Sequence, residues 1–220
     1  MLIRKEKGRT FIFLCTAILF LFFMLAAMMN SQVMSIIDRI VVSAIPHGSN
    51  FLHIMFSAVS FVAKPAFDLI YIILLTLILW GMNYRITAVW SLGYGVIGYL
   101  LGTIVKHLVK RPRPIGHLLT DTGYSFPSGH VLGTFMVMAI LFIGFVPFVR
   151  SKSKRLLIQF LLCIWVILVM MSRVYLQAHF PTDTIGAVLL AYAWLQVSEM
   201  LYVKWAPKLK KKTIFSESYM

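Results

Sequence analysis

Arg173, His179 and Asp183 stand between two long apolar stretches, in the run Ser172-Arg-Val-Tyr-Leu-Gln-Ala-His179-Phe-Pro-Thr-Asp183. Charged and imidazole groups beside hydrocarbon are costly, and where they occur they mark functional sites. A carboxylate four residues after a histidine shares a face with it if a helix starts near 179. It then accepts a hydrogen bond from one ring nitrogen, fixes the tautomer and leaves the other nitrogen as nucleophile or base. Taken singly, the run also reads as a polar turn with an aspartate at a helix start.

Two further clusters carry chemistry of a related kind. In Lys106-His-Leu-Val-Lys-Arg-Pro-Arg113-Pro114, Lys106 lies near the end of an apolar segment and Arg113 follows seven residues on. Pro112 and Pro114 stop the helix and stiffen its exit. A point-charge lysine and a planar guanidinium fixed there suit a phosphate group. In Phe126-Pro127-Ser128-Gly129-His130, Ser128 is placed to cap the following apolar helix. The free N–H groups of that helix start are a ready anion site, with His130 in the first turn. Snorkelling cations and a plain helix cap are the simpler readings of each cluster alone.

These side chains need elements to hold them. The chain has 220 residues, 60% of them hydrophobic and only 13% charged. A soluble domain is about half apolar and about a quarter charged. The expectation is an all-α, polytopic membrane protein forming a single domain over 1–220. Six transmembrane helices are predicted, at about 11–29, 67–82, 86–109, 130–149, 156–173 and 182–203. The first apolar run reads as a retained span rather than a signal peptide, because 19 residues exceed the usual apolar core of one. Between the first and second spans, Ile36, Ile37, Ile40, Val41 and Ala44 form one stripe interrupted by Gln32, Ser35, Asp38, Arg39 and Ser43. That pattern predicts a helix lying in the outer interface, then a turn at Pro46-His47-Gly48-Ser49-Asn50. Residues 51–63 read as a second interfacial segment or a partial span. Gly93, Gly95, Gly98 and Gly102 predict close packing of the third span. Cys15 and Cys163 read as free thiols packed as small apolar groups.

The charges set the orientation. Lys and Arg number 21 against 7 Asp and Glu. With an inside N-terminus, six spans collect fourteen of those basic residues on one side, in residues 1–10, 83–85, 150–155 and the Lys204–Lys212 tail. The positive-inside rule makes that side, and both termini, cytoplasmic in a plasma membrane. The tail then contacts lipid headgroups, and no soluble domain remains to bind nucleic acid. Five of the seven remaining cations, Lys106, Lys110, Arg111, Arg113 and Arg173, fall in two short clusters, beside the start of the fourth helix and the end of the fifth. All three clusters are thereby placed on the same, outer face.

Lys106-x6-Arg113-Pro114, Pro127-Ser128-Gly129-His130 and Ser172-Arg173-x5-His179-x3-Asp183 together resemble the three-part signature of the type 2 phosphatidic acid phosphatase superfamily. Order and spacings fit, with no departure at a signature position. The resemblance implies a lipid phosphate phosphatase working without a metal or other cofactor, on a helical core shared with vanadium haloperoxidases. It implies that His179 attacks phosphorus to form a phosphohistidine, oriented by Asp183, and that His130 protonates the leaving oxygen. Lys106, Arg113, Arg173, Ser128 and the Gly129 backbone would hold the phosphoryl oxygens. Such a transition state asks chiefly for fixed positive charge and alignment, which three cations supply.

The resemblance also implies a lipid phosphate substrate such as phosphatidylglycerophosphate or phosphatidic acid, with undecaprenyl pyrophosphate as the alternative, and no obligate protein partner is expected. A non-catalytic lipid-phosphate binder or transporter would need the cations but not the His179–Asp183 pair. A vanadate-dependent peroxidase is disfavoured by the membrane-embedded chain. His107, His117, Asp121 and Tyr124 lie near the clusters and are left outside the catalytic set.

Overall fold

The computed structural model describes residues 2–3, 5–45, 48–117 and 121–219. The predicted turn residues Pro46 and His47, and the cation Arg4, lie outside the described residues. The described residues form eight α-helices and no strand. They are α1 (Arg9–Met28), α2 (Gln32–Ser43), α3 (Asn50–Val62), α4 (Pro65–Gly81), α5 (Arg85–Val109), α6 (Gly129–Gly144), α7 (Lys152–Tyr175) and α8 (Pro181–Leu209).

Five of these stretches are long and apolar enough to cross a membrane: α1, α5, α6 with the 3₁₀ turn Val146–Phe148, α7 and α8. The sixth expected span takes a different form. Helix α4 has 17 residues, and α3 precedes it across a break with a 48° bend. Counted as one broken span, the pair brings the total to six. The bend follows from Lys64-Pro65: proline supplies no N–H to continue α3, yet its fixed φ suits the first position of α4.

Helix ends are set by local chemistry. α1, α4 and α7 each end on a left-handed residue that is not glycine, namely Asn30, Asn83 and Gln177. In each case the next amide reaches back over the turn: Ser31 N–H to Ala26, Tyr84 to Leu79 and Ala178 to Arg173, at 2.9–3.0 Å. This six-to-one closure satisfies carbonyls that a helix end leaves open. α5 ends on left-handed Lys110, with Pro112 behind it.

α6 and α8 form the centre. In each, 56% of the apolar stretch is buried, against 17% for α1. α6 packs on α4, α5, α7 and α8, whereas α1 and α2 lean on α8 and α3 leans on α7. Side chains on Gly98 and Gly102 would run into Met136 and Leu132, so these glycines set the α5–α6 approach. Gly93 faces open space and has no such role. Polar groups stitch α5 to α8: the Tyr94 hydroxyl donates to the Ala191 carbonyl (3.2 Å) and the Trp194 indole to the Tyr94 carbonyl (2.8 Å). Cys15 and Cys163 are free thiols, but they stand on exposed helix faces rather than in the core. The start of α1 and the last described residues lie at the end of the bundle opposite the α5–α6 and α7–α8 connections. There the last residues fold under the α4–α5 turn, with Arg85 donating to the Ile214 carbonyl and Tyr219 N–H to that of Asn83.

Candidate active site

The three sequence clusters meet at one end of the bundle. Helix polarity demands it: α5 and α7 end there, and α6 and α8 begin there. Arg173 occupies the last turn of α7, Lys106 the last turn of α5, Ser128 the position before α6, and Asp183 the first turn of α8.

The turn after α7 places the histidine. Left-handed Gln177 reverses the chain so that both Ala178 N–H (3.0 Å) and His179 N–H (3.2 Å) donate to the Arg173 carbonyl. Arginine and histidine are thus tied through the backbone. α8 begins at Pro181 rather than near 179, so His179 stands ahead of the helix, not on its face. Its Nδ1 lies 3.7 Å from Asp183 Oδ2, beyond a hydrogen bond. The expected direct link is replaced by a bridge. The Ser125 hydroxyl donates to Asp183 Oδ2 (2.5 Å) and is the Nδ1 partner of His179 (3.3 Å). On the other side of the ring, an Arg113 guanidinium nitrogen is 3.3 Å from Nε2. An arginine only donates. So Nε2 carries the lone pair and Nδ1 the proton.

Burial pushes the His179 pKa down to about 4, with Asp183 opposing and Arg173 and Arg113 adding to the fall. Arg113 is itself lowered by burial, which Asp121 opposes. Its fork is clamped by the carbonyls of Thr122, Gly123 and Ala178 at 2.8–3.0 Å.

Arg173 is buried and pairs with Asp121 (2.8 Å) and with the Ser60 hydroxyl of α3 (2.5 Å). Ser128 stands at the N-cap position, but its side chain makes no capping bond. Its buried Oγ has no hydrogen-bond partner among the described residues, while its N–H donates to the Asp183 carbonyl at 3.2 Å. A buried hydroxyl without a partner is a group awaiting one. His130 stands in the first turn of α6, within electrostatic reach of Arg173, His179, Arg113 and Lys106. Phe126 anchors the 121–128 loop. Its ring is buried against Gly186, where a side chain would collide with it, and stacks with Phe20 at 6.3 Å.

Four residues outside the expected set take part. Besides Ser125 and Asp121, Arg111 is buried and bonds Asp183 Oδ1 (2.6 Å), Thr182 Oγ1 (2.8 Å) and Asp38 Oδ2 (2.7 Å). Its guanidinium also covers the Phe180 ring at 4.2 Å. Arg111 and Asp121 were visible as charges near the clusters. Ser125 had no signal and Asp38 showed only as a polar break in an amphipathic stripe, because both act across the fold rather than along a helix. Of the other neighbours, His107 bonds the Thr103 carbonyl of its own helix and meets Tyr124 edge to face. Among the described residues, no group of three or more His, Cys, Asp or Glu side chains is placed to hold a metal ion. A cavity of about 690 Å³ runs from the end of α1 along α2 to His179 and Phe180.

The family model described as the PAP2 superfamily matches residues 87–207. Among curated proteins, phosphatidylglycerophosphatase B of Haemophilus influenzae is 36% identical over 46% of this chain and 39% of its own length. Phosphatidylglycerophosphatase B of Bacillus subtilis is 35% identical over 40% of this chain and 44% of its own. An undecaprenyl-diphosphatase of Sulfolobus acidocaldarius is 35% identical over 46% of this chain and 47% of its own. The chain thus matches less than half the length of each of these relatives. A crystal structure of a transmembrane PAP2-type phosphatidylglycerolphosphate phosphatase from Bacillus subtilis shares the fold, with a TM-score of 0.75 and 22% identity. That match covers 90% of this chain and 98% of the other.

Proposed function

The chain belongs to the PAP2 superfamily, and from that premise we propose that it is a membrane lipid phosphate phosphatase working through a phosphohistidine on His179. The observation that carries the reading is the polarity of the His179 ring. Its Nε2 faces the Arg113 guanidinium, and its Nδ1 is held toward Asp183 through Ser125. A ring nitrogen with a lone pair beside a cation is where a phosphoryl group has both a nucleophile and a charge partner.

In the first step Nε2 attacks phosphorus and the bond from phosphorus to the lipid oxygen breaks. His130 gives its proton to that oxygen. In the second step His130 takes a proton from water, the water oxygen attacks phosphorus, the P–N bond breaks and inorganic phosphate leaves. Lys106, Arg113 and Arg173 neutralise the phosphoryl oxygens, and the vacant Ser128 hydroxyl and the Gly129 N–H donate to them. Asp183 stabilises the positive ring of the intermediate. The chemistry needs no metal, and the reaction should survive EDTA.

The substrate is a phosphate monoester or a diphosphate on a lipid. The names of the relatives favour phosphatidylglycerophosphate and leave a polyprenyl diphosphate as the second reading. The α2-lined cavity is of a size that takes a head group and the start of its chains. Residues 1–220 act as one membrane-embedded domain, a reading supported by α1 and the C-terminal residues packing on the same bundle. The asymmetry of basic residues favours both termini in the cytoplasm and the site at the outer face of the plasma membrane.

Purified protein is expected to release inorganic phosphate from phosphatidylglycerophosphate, phosphatidic acid or undecaprenyl diphosphate in EDTA. His179→Ala should lose at least about 10³-fold in kcat. Lipid binding without turnover, or full activity in His179→Ala, would sink the proposal in favour of a binder or transporter.

A further inference from the structure

Helix α2 is amphipathic, and its buried residues are Met34 and Asp38. The apolar Val33, Ile36, Ile40 and Val41 all remain exposed. A helix that docks through an aspartate needs a reason, because a buried carboxylate is costly unless it is paired and hydrogen-bonded. Here both oxygens are bonded, through three hydrogen bonds. Asp38 Oδ1 accepts from Thr182 N–H (2.9 Å), and Oδ2 accepts from Thr182 Oγ1 (3.0 Å) and Arg111 (2.7 Å). Thr182 N–H is one of the open donors in the first turn of α8. Asp38 therefore caps, from another helix, the helix that carries Asp183. Arg111 in turn lies between two carboxylates, 2.7 Å from Asp38 and 2.6 Å from Asp183.

We propose that Asp38 and Arg111 are positioning residues for the nucleophile: Arg111 grips Asp183 and the start of α8, and Asp38 fixes that guanidinium and takes up its charge. This rests on the phosphohistidine reading above and extends it to α2. Two carboxylates share one guanidinium, so the cluster keeps a net negative charge. Asp183 remains an anion for the His179 ring to work against. With Asp38 neutral, Arg111 would cancel Asp183, and the positive phosphohistidine would lose the charge that stabilises it. Both residues border the α2 cavity, but their charged groups are taken up by one another and by Thr182 and Asp183, so the effect belongs to a step after binding.

The test is a double-mutant cycle in the full chain, reconstituted in vesicles with phosphatidylglycerophosphate. Asp38→Asn is expected to lower kcat about 10- to 100-fold, the range seen for outer partners of ligating histidines, with KM within about 2-fold. Asp38→Glu, which keeps the charge, should recover part of that loss. In an Asp183→Asn background, Asp38→Asn should cost no more than about 2-fold, because the group it acts through is gone. Full activity in Asp38→Asn, a change in KM alone, or additive losses in the Asp183→Asn background would each overturn the proposal. If Asp38→Asn is not recovered folded, Arg111→Lys keeps the charge without the fork and must show the same kcat-only loss and the same non-additivity. If the parent chain releases no phosphate from any lipid phosphate, the proposed function has failed rather than the coupling. Ring-15N histidine spectra then decide the coupling without turnover: Asp38→Asn, or Arg111→Lys in its place, must move the His179 Nδ1 resonance, and an unchanged resonance overturns it.

Discussion

The two ends of this bundle hold their best-defined cations differently, although Arg9 is buried against Glu199 at one end and Arg39, Lys64 and Lys110 are exposed at the other. At the end that carries the chain termini, Arg150, Lys152, Lys154, Lys204, Lys208, Lys211 and Lys212 are exposed. At the other end Arg111 and Arg173 are buried, Arg111 bound by two carboxylates and a hydroxyl and Arg173 by one of each. Exposed cations in water are screened and individually worth little. Buried ones are held in one geometry, and their field is strong where little water intervenes. A similar type of residue thus serves as a diffuse charge at one end and as fixed chemistry at the other.

Removing charge is the direct way to break this contrast. Arg173→Met should lower kcat/KM by about 10²- to 10³-fold, the scale of losing one fixed donor to a developing anion. Phosphate release under substrate-limited conditions measures it, and a loss below about 5-fold would place Arg173 outside the site. A smaller and sharper effect concerns protons. The His179 pKa is pushed down to about 4, mostly by burial. A lowered histidine pKa favours the neutral ring, so the proposed nucleophile stays competent as pH falls and is lost only as pH nears the folded value. Ring-15N spectra of the full chain are therefore expected to show neutral His179 at pH 5.5, where a solvated imidazole is mostly protonated. A midpoint near the ordinary value would show the site to be open to water. The smallest effect belongs to the other end. Changing Lys204, Lys208, Lys211 and Lys212 together to Gln should alter kcat by less than about 2-fold per inserted molecule.

The sequence made the membrane class, the helical architecture and the meeting of the three clusters legible, because each rests on local periodicity, helix polarity or a fixed spacing. It also placed His179 and Asp183 near one another. What it could not show was how they touch. An i, i+4 pair touches only inside a helix, and Pro181 together with the left-handed Gln177 moves the helix start past His179. Ser125 then fills the gap, and its hydroxyl looks like any loop serine in the sequence. The same holds for the second span. Its apolar residues read as a helix from Phe67, but Lys64-Pro65 joins α4 to α3 as a bent pair. Asp38 was readable as a polar break in an amphipathic stripe. Its partners lie more than 70 residues away, at Arg111 and Thr182, and no periodicity reports a contact of that range.

The Asp38 network also orders events in time. Asp38, Arg111 and Ser125 are all synthesised before the helix that completes their contacts. Thr182 and Asp183 come later in the chain, and bringing them together closes a loop of more than 140 residues. Until α8 docks, Asp38 and Arg111 have only one another, and the Ser125 hydroxyl lacks its carboxylate. A chain ended before residue 181 therefore lacks Thr182 and Asp183, and the cluster around His179 stays incomplete. Docking of the last helix is the step that completes the cluster.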